Sequence, residues 1–341
     1  MNRLSPSFQL SHALVPPLWL RHPQGQTLYA ALWASTPKVD WIREVWSCPD
    51  GDEVQVDRLA GQPSQPVLIL FHGLEGSSQS PYVRSLAHAA QSAGWHVIAP
   101  NFRACGNVLN LLPRLYHAGD SAEIHWLLHR VRQEFPHSPR YATGFSLGAN
   151  MLLKWLGEQE KYAASWLHGA VAVATPFDLR IVGDHLAKGF NRLYTHHFLS
   201  TLKSKAQAKH QQFPGLFNLK HTLGAHTLRD FDDHCMAPLH GFKDAEDYWK
   251  RSSCLPWLKH IEIPTLLLQS RDDPFVPVHA LPGIQDLSLA IRMDLQHFGG
   301  HVGFVAGRWR CHTRWMPERV LKFLQHPEIP TPSQQHPDIR E

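Results

Sequence analysis

The sequence has no run of the ~18 uninterrupted apolar residues that a membrane-spanning helix needs, which excludes a helical integral membrane protein. A disulfide scaffold is excluded next. The five cysteines (Cys48, Cys105, Cys235, Cys254 and Cys311) are odd in number and lack disulfide-like spacing, so reduced thiols in a cytosolic protein are expected. Among 25 histidines there is no H-E-x-x-H, and no paired C-x-x-C occurs, so neither a metal site nor a cofactor is expected. Charged residues are scarce, at 18%, and a net charge of +4 is too mild to imply a nucleic-acid partner. There is no N-x-S/T sequon, and Met1 to Val15 shows no cationic start followed by a long apolar run. The expectation is a monomeric cytoplasmic enzyme.

What is present is apolar content, 43% of 341 residues, enough for one large α/β domain with an insertion or for two small domains. Residues 1–42, with Pro16-Pro17 and little periodicity, read as an irregular arm packed on the domain. Arg43 to Cys48 and Glu53 to Leu59 alternate on either side of Asp50-Gly51, which predicts a hairpin. Val67 to Phe71 is continuously apolar, as in a strand buried on both faces of a parallel sheet. Further strands are predicted at Trp95 to Pro100, Arg140 to Phe145, Gly169 to Ala174, Ile263 to Gln269 and Ala290 to Leu295. Helices are predicted over Pro81 to Ala93, after a cap at Asp120, and over Trp315 to Leu324. Between residues 176 and 260 the strand pattern stops and the chain looks helical. The polar, Pro-rich tail 327–341 is expected to be disordered. The result is an α/β core over 43–175 and 261–326, interrupted by a helical lid insertion over 176–260. Alternating strands and helices build a mostly parallel, doubly wound sheet, whose site lies beyond the carboxyl ends of its strands.

At one such end stands Gly144-Phe145-Ser146-Leu147-Gly148, between a predicted strand and the helical pattern from Ala149. A sharp turn there brings backbone segments too close for a Cβ at 144 or 148, and pushes the Ser146 hydroxyl out over a helix N-terminus. Serine is a weak nucleophile unless a base takes its proton, and the base needs an orienting carboxylate. Downstream, Asp272-Asp273-Pro274-Phe275-Val276-Pro277 follows a strand and offers the acid. Asp273, directly before the proline turn, is favoured, with Asp272 as competitor. The base candidate is His301, set off by glycines in Gly299-Gly300-His301-Val302-Gly303. His72 and His297 read as structural. Two backbone N–H groups would receive an oxyanion, those of Leu147 and of Leu74 in the His72-Gly73-Leu74 turn.

With these residues in hand, the chain resembles the α/β-hydrolase superfamily, and within it the YheT-like esterases, which are similar to the animal ABHD lipase-type hydrolases. Carrying the resemblance are Phe71-His72-Gly73-Leu74-Glu75-Gly76-Ser77, Asn101-Phe102-Arg103-Ala104-Cys105-Gly106 and Pro113 to Gly119. So do Gly144 to Asn150, Pro176-Phe177-Asp178-Leu179, Asp272 to Phe275 and Gly299 to Phe304. It runs from about Pro16 to Leu324. It implies the α/β-hydrolase fold and carboxylic-ester hydrolysis through an acyl-enzyme, with a triad on Ser146, Asp273 and His301. The one departure is Ala104, where the family usually has Gly.

The insertion carries an unusual charge pattern. From His185 to Arg229 there are seven cations and no carboxylate, then from Asp230 to Asp247 six acids against one lysine. Internal pairing or a solvated face is one reading; transient contact of the basic lid with an anionic lipid surface is the other. The substrate expected is a small-molecule acyl ester or lipid of short to medium chain. A serine acyltransferase would use the same residues, and a non-catalytic hydrolase-like binding protein is the alternative of a different class.

Overall fold

A computed structural model describes residues 13–307 and 311–329. The arm before residue 13 and the tail from residue 330 lie outside the described residues. Eight strands form one sheet: β1 (Ile42–Ser47), β2 (Glu53–Leu59), β3 (Val67–Phe71), β4 (His96–Pro100), β5 (Arg140–Phe145), β6 (Gly169–Val173), β7 (Thr265–Ser270) and β8 (Ile291–Gln296). Their order is β1-β2-β4-β3-β5-β6-β7-β8. The β1–β2 hairpin is antiparallel, as is the β2–β4 pair; β3 to β8 run parallel.

Helices cover both faces, which is why β3 is apolar at every position. Ile69 and Phe71 pack toward Ile124, Leu128 and Leu152 of α3 (Ser121–Glu134) and α4 (Leu147–Gln159). Leu68 and Leu70 pack with Val83 and Leu86 of α2 (Pro81–Ser92) and with Val320 and Leu324 of a C-terminal helix (Trp315–Gln325). Asp120 caps α3 by accepting from the Glu123 N–H. Among the described residues no helix is long and apolar enough to cross a membrane.

The arm is not wholly irregular. Pro23–Leu32 is a helix, α1, opened by the His22 side chain on the Gln24 N–H and by Pro at its first position. Gly25 and a mostly polar first turn hide it from periodicity. Tertiary contacts supply what the local pattern lacks: Gln26 and Thr27 are buried against the loop that carries His301.

Between β6 and β7 the chain is helical, with no strand. It contains α5 (Leu179–Leu186), α6 (Arg192–Gln212), α7 (Leu219–Gly224), α8 (Leu228–Phe231), a π-helical turn at Asp232–Met236, α9 (Ala237–His240) and α10 (Ala245–Ser252). These helices pack around Leu199, Leu202, Phe217, Phe231 and Trp249, a cluster that also takes in Ala104, Leu115 and Ala118 of the loop after β4. Four of the seven cations in the basic block are engaged by protein. Lys205 pairs with Glu75, and Arg229 with Asp184 and Glu246. Lys203 and Lys209 donate to the backbone carbonyls of Ala225 and of Asn110 and Leu112.

Candidate active site

The parallel strands align the chemistry by register. Phe71 pairs with Gly144, and Phe145 with Val173, so the turns after β3, β5 and β6 leave the sheet at one level. At the end of β5 the chain must reverse into α4 within one residue. Ser146 takes that turn at φ 51°, ψ −119°, a conformation strained for a side-chain-bearing residue. Its N–H is tied to the Val173 carbonyl at 2.8 Å. The flanking glycines are required by contact. A Cβ on Gly144 would lie 2.6 Å from the Ala149 Cα, and one on Gly148 would lie 2.4 Å from the His72 carbonyl oxygen.

His301 comes from the loop after β8. Its Nε2 is 2.9 Å from the Ser146 Oγ, and its Nδ1 is 2.9 Å from the Asp273 Oδ2, across sequence separations of 155 and 28 residues. Asp273 Oδ1, 3.1 Å from the same Nδ1, also accepts the N–H groups of Phe275 and Val276 at 2.7 and 3.1 Å, which fixes the carboxylate with Oδ2 as the oxygen nearer the ring. An Nδ1–H directed at a carboxylate leaves Nε2 as the acceptor facing the hydroxyl. Asp272, next in sequence, does not reach the imidazole. Its Oδ1 accepts the Gly300 N–H at 2.9 Å, and burial pushes its pKa upward.

Three contacts to the His301 loop were not drawn from the sequence. Thr27 of α1 accepts the His301 N–H at 2.9 Å and in turn donates to the Pro23 carbonyl. Gln26 accepts the Val305 N–H. The Phe275 ring lies against the imidazole, with centroids 4.1 Å apart and planes inclined by 23°. A signal existed for Phe275 alone, in its place beside Asp273; Thr27 stands 274 residues from its partner.

Leu74 and Leu147 border the same cavity as Ser146. Among the described residues neither of their N–H groups donates to a protein acceptor. Leu147 is the first residue of α4, where the N–H has no partner within the helix. Leu74 sits in a turn closed by Gly76 N–H to the Gly73 carbonyl, at 3.0 Å. His72 anchors that turn. Burial pushes its pKa down to about 4, so the ring is neutral at physiological pH. Its Nδ1–H can then donate to the Gly73 carbonyl at 2.8 Å while Nε2 accepts the Phe102 N–H at 3.0 Å. Ala104 takes φ 62°, so the loop keeps at this position the left-handed backbone that Gly would adopt freely.

The cavity has a volume of about 370 Å³. Its walls are shared between the core, including Leu28, Leu115 and Met316, and apolar side chains of the stretch between β6 and β7, including Leu179, Val182, Phe198, Leu202 and Phe231.

Comparison with known proteins identifies the fold family. A family model described as the alpha/beta hydrolase fold matches residues 66–303. The chain is 34% identical to protein YheT of Escherichia coli strain K12, over 93% of this chain and 94% of that protein. It is 28% identical to the Homo sapiens phospholipase ABHD3, over 91% of this chain and 78% of that one. The yeast Saccharomyces cerevisiae monoacylglycerol lipase is 31% identical over 80% of this chain and 62% of its own length. Among solved structures, the Pyrococcus furiosus esterase Pf2001 superposes with a TM-score of 0.55 at 16% identity, covering 86% of this chain and 97% of the esterase.

Proposed function

This chain belongs to the α/β-hydrolase family and is a hydrolase of esterase or lipase type, and from that premise we propose that it is a serine carboxylic-ester hydrolase working through an acyl-enzyme. The observation that carries the reading is the unbroken relay of 2.9 Å from Ser146 Oγ to His301 Nε2, and of 2.9 Å from His301 Nδ1 to Asp273 Oδ2. His301 takes the proton as Ser146 Oγ attacks the ester carbonyl, and Asp273 stabilises the imidazolium that forms. The carbonyl oxygen, now an oxyanion, receives the N–H groups of Leu74 and Leu147. His301 then gives its proton to the departing alkoxide, leaving Ser146 acylated. Water repeats the sequence, with His301 again as base, and releases the carboxylic acid.

Short- to medium-chain acyl esters or lipids are the proposed substrates. The names of a phospholipase and a monoacylglycerol lipase among the relatives support a lipid-like acyl donor. The apolar lining of the cavity supports an acyl chain held beneath the helical insertion, which acts as its lid. A volume of about 370 Å³ is near the low end of the ~300–1,000 Å³ usual for ligand pockets. Chromogenic esters from two to sixteen carbons are therefore expected to give their highest kcat/KM at or below about ten carbons; a maximum at sixteen would refute this size argument. The mechanism itself is tested with a fluorophosphonate probe. One equivalent is expected to attach, at Ser146, and labelling at another residue or none at all would overturn the serine reading.

A further inference from the structure

The turn after β3 holds its strain at Glu75, the residue that follows Leu74. Glu75 has φ 56° although it is not glycine, a strained conformation that persists only where neighbours hold it. The neighbours are specific. The Glu75 N–H donates to the Tyr116 hydroxyl at 2.8 Å, and that hydroxyl donates back to Glu75 Oε1 at 2.9 Å. The same Oε1 accepts from Lys205 Nζ at 2.7 Å. The carboxylate side chain is 5% exposed and the lysine 18%. Tyr116 belongs to the core, but Lys205 belongs to α6 of the insertion, 130 residues away in sequence. Cys105 Sγ lies 3.4 Å from the same ammonium; burial pushes its thiol up to about 12, so it adds no charge.

The remaining ties on the turn, from Tyr82 to the Gly73 N–H and from the His72 ring, come from the core. Among the described residues, Lys205 is thus the polar contact from the insertion to Glu75, the residue that follows the Leu74 N–H. We propose that Lys205 is a positioning residue for ester hydrolysis: by clamping Glu75 in its strained conformation it holds the Leu74 N–H on the developing oxyanion. This rests on the serine-hydrolase reading above. A donor displaced by about 1 Å can cost on the order of 100-fold in rate, and losing an oxyanion donor outright costs about 100- to 1,000-fold. The ion pair is buried, so its effect is expected to resist added salt.

Lys205→Met is expected to lower kcat for a medium-chain chromogenic ester by 10- to 100-fold with KM changed by less than about threefold. Lys205→Arg, which keeps the charge and the donor, is expected to recover most of it. Lys203→Met, one turn-face away on the same helix, is expected to keep wild-type kcat. Affinity for a trifluoromethyl ketone, whose adduct with serine carries an oxyanion, is expected to fall in step with kcat. Affinity for the product carboxylic acid is expected to hold. If Lys205 acts through Glu75, adding Lys205→Met to Glu75→Ala lowers kcat no further than the worse single variant. Should Lys205→Met fail to fold, Tyr116→Phe and Lys205→Arg carry the same comparison, since Tyr116→Phe removes the acceptor of the Glu75 N–H. Wild-type kcat and inhibitor affinity in Lys205→Met, with Ser146→Ala inactive, would overturn this inference alone. Full activity in Ser146→Ala would overturn the mechanism beneath it.

Discussion

Ser146→Ala is expected to lower kcat for any ester the enzyme turns over by about 10⁴- to 10⁶-fold, with KM little changed. The size follows from what the hydroxyl does in the proposed mechanism. Without it there is no acyl-enzyme, and His301 can act only as base for a water bound where no group orients it. The proposed oxyanion donors and the apolar cavity survive, so a small residual rate above that in water is expected. Melting temperature is expected to stay within about 2 °C of wild type. Alanine keeps the Cβ and hence the strain at φ 51°, and among the described residues the one hydrogen bond lost with Oγ is that to His301. That control separates a chemical effect from a folding one. Steady-state kinetics and a thermal melt on the same preparation check both statements. A variant within tenfold of wild-type kcat would remove Ser146 from the reaction.

Much of this arrangement was legible because glycine and apolar runs mark it locally. The strand from Val67 to Phe71 is buried on both faces, so each position had to be apolar, and the run announced it. Gly144 and Gly148 stand where a Cβ would strike backbone atoms, which is why the turn around Ser146 could be recognised from spacing. Where the determinants are tertiary, the sequence was silent. Helix α1 is held by buried Gln26 and Thr27 bonding to a loop more than 270 residues away, and no local pattern records that. For the basic block the sequence left internal pairing, a solvated face and a lipid contact all open, because charge pattern carries no information about depth. Lys209 is nearly fully buried with its ammonium on two carbonyls, and Lys205 reaches the turn beside the candidate nucleophile. Asp272 and Asp273 were hard to separate for another reason. Both fit a turn before proline, and only the direction in which each points, one to a backbone N–H and one to a ring, tells them apart.

That difference in direction sets the second large effect. Asp273→Asn is expected to lower kcat by about 10³- to 10⁴-fold, whereas Asp272→Asn is expected to stay within about threefold of wild type. An asparagine at 273 keeps one oxygen for the Phe275 and Val276 N–H groups, now at 2.7 and 3.1 Å. Its NH₂ then faces the imidazole. A donor in place of Oδ2, the oxygen nearer Nδ1, competes with the retained Oδ1 at 3.1 Å and favours the proton on Nε2, the nitrogen 2.9 Å from Ser146 Oγ, which weakens the proposed base. The charge that would stabilise the imidazolium is lost with it. At 272 the same substitution keeps the oxygen that accepts the Gly300 N–H at 2.9 Å. Burial already disfavours the ionised form of Asp272, so a neutral amide there forfeits little electrostatically. Measuring kcat/KM of the two variants side by side decides the assignment. The reverse ranking, with Asp272→Asn the crippled enzyme, would transfer the orienting role to Asp272 and require the loop after β7 to rearrange before catalysis.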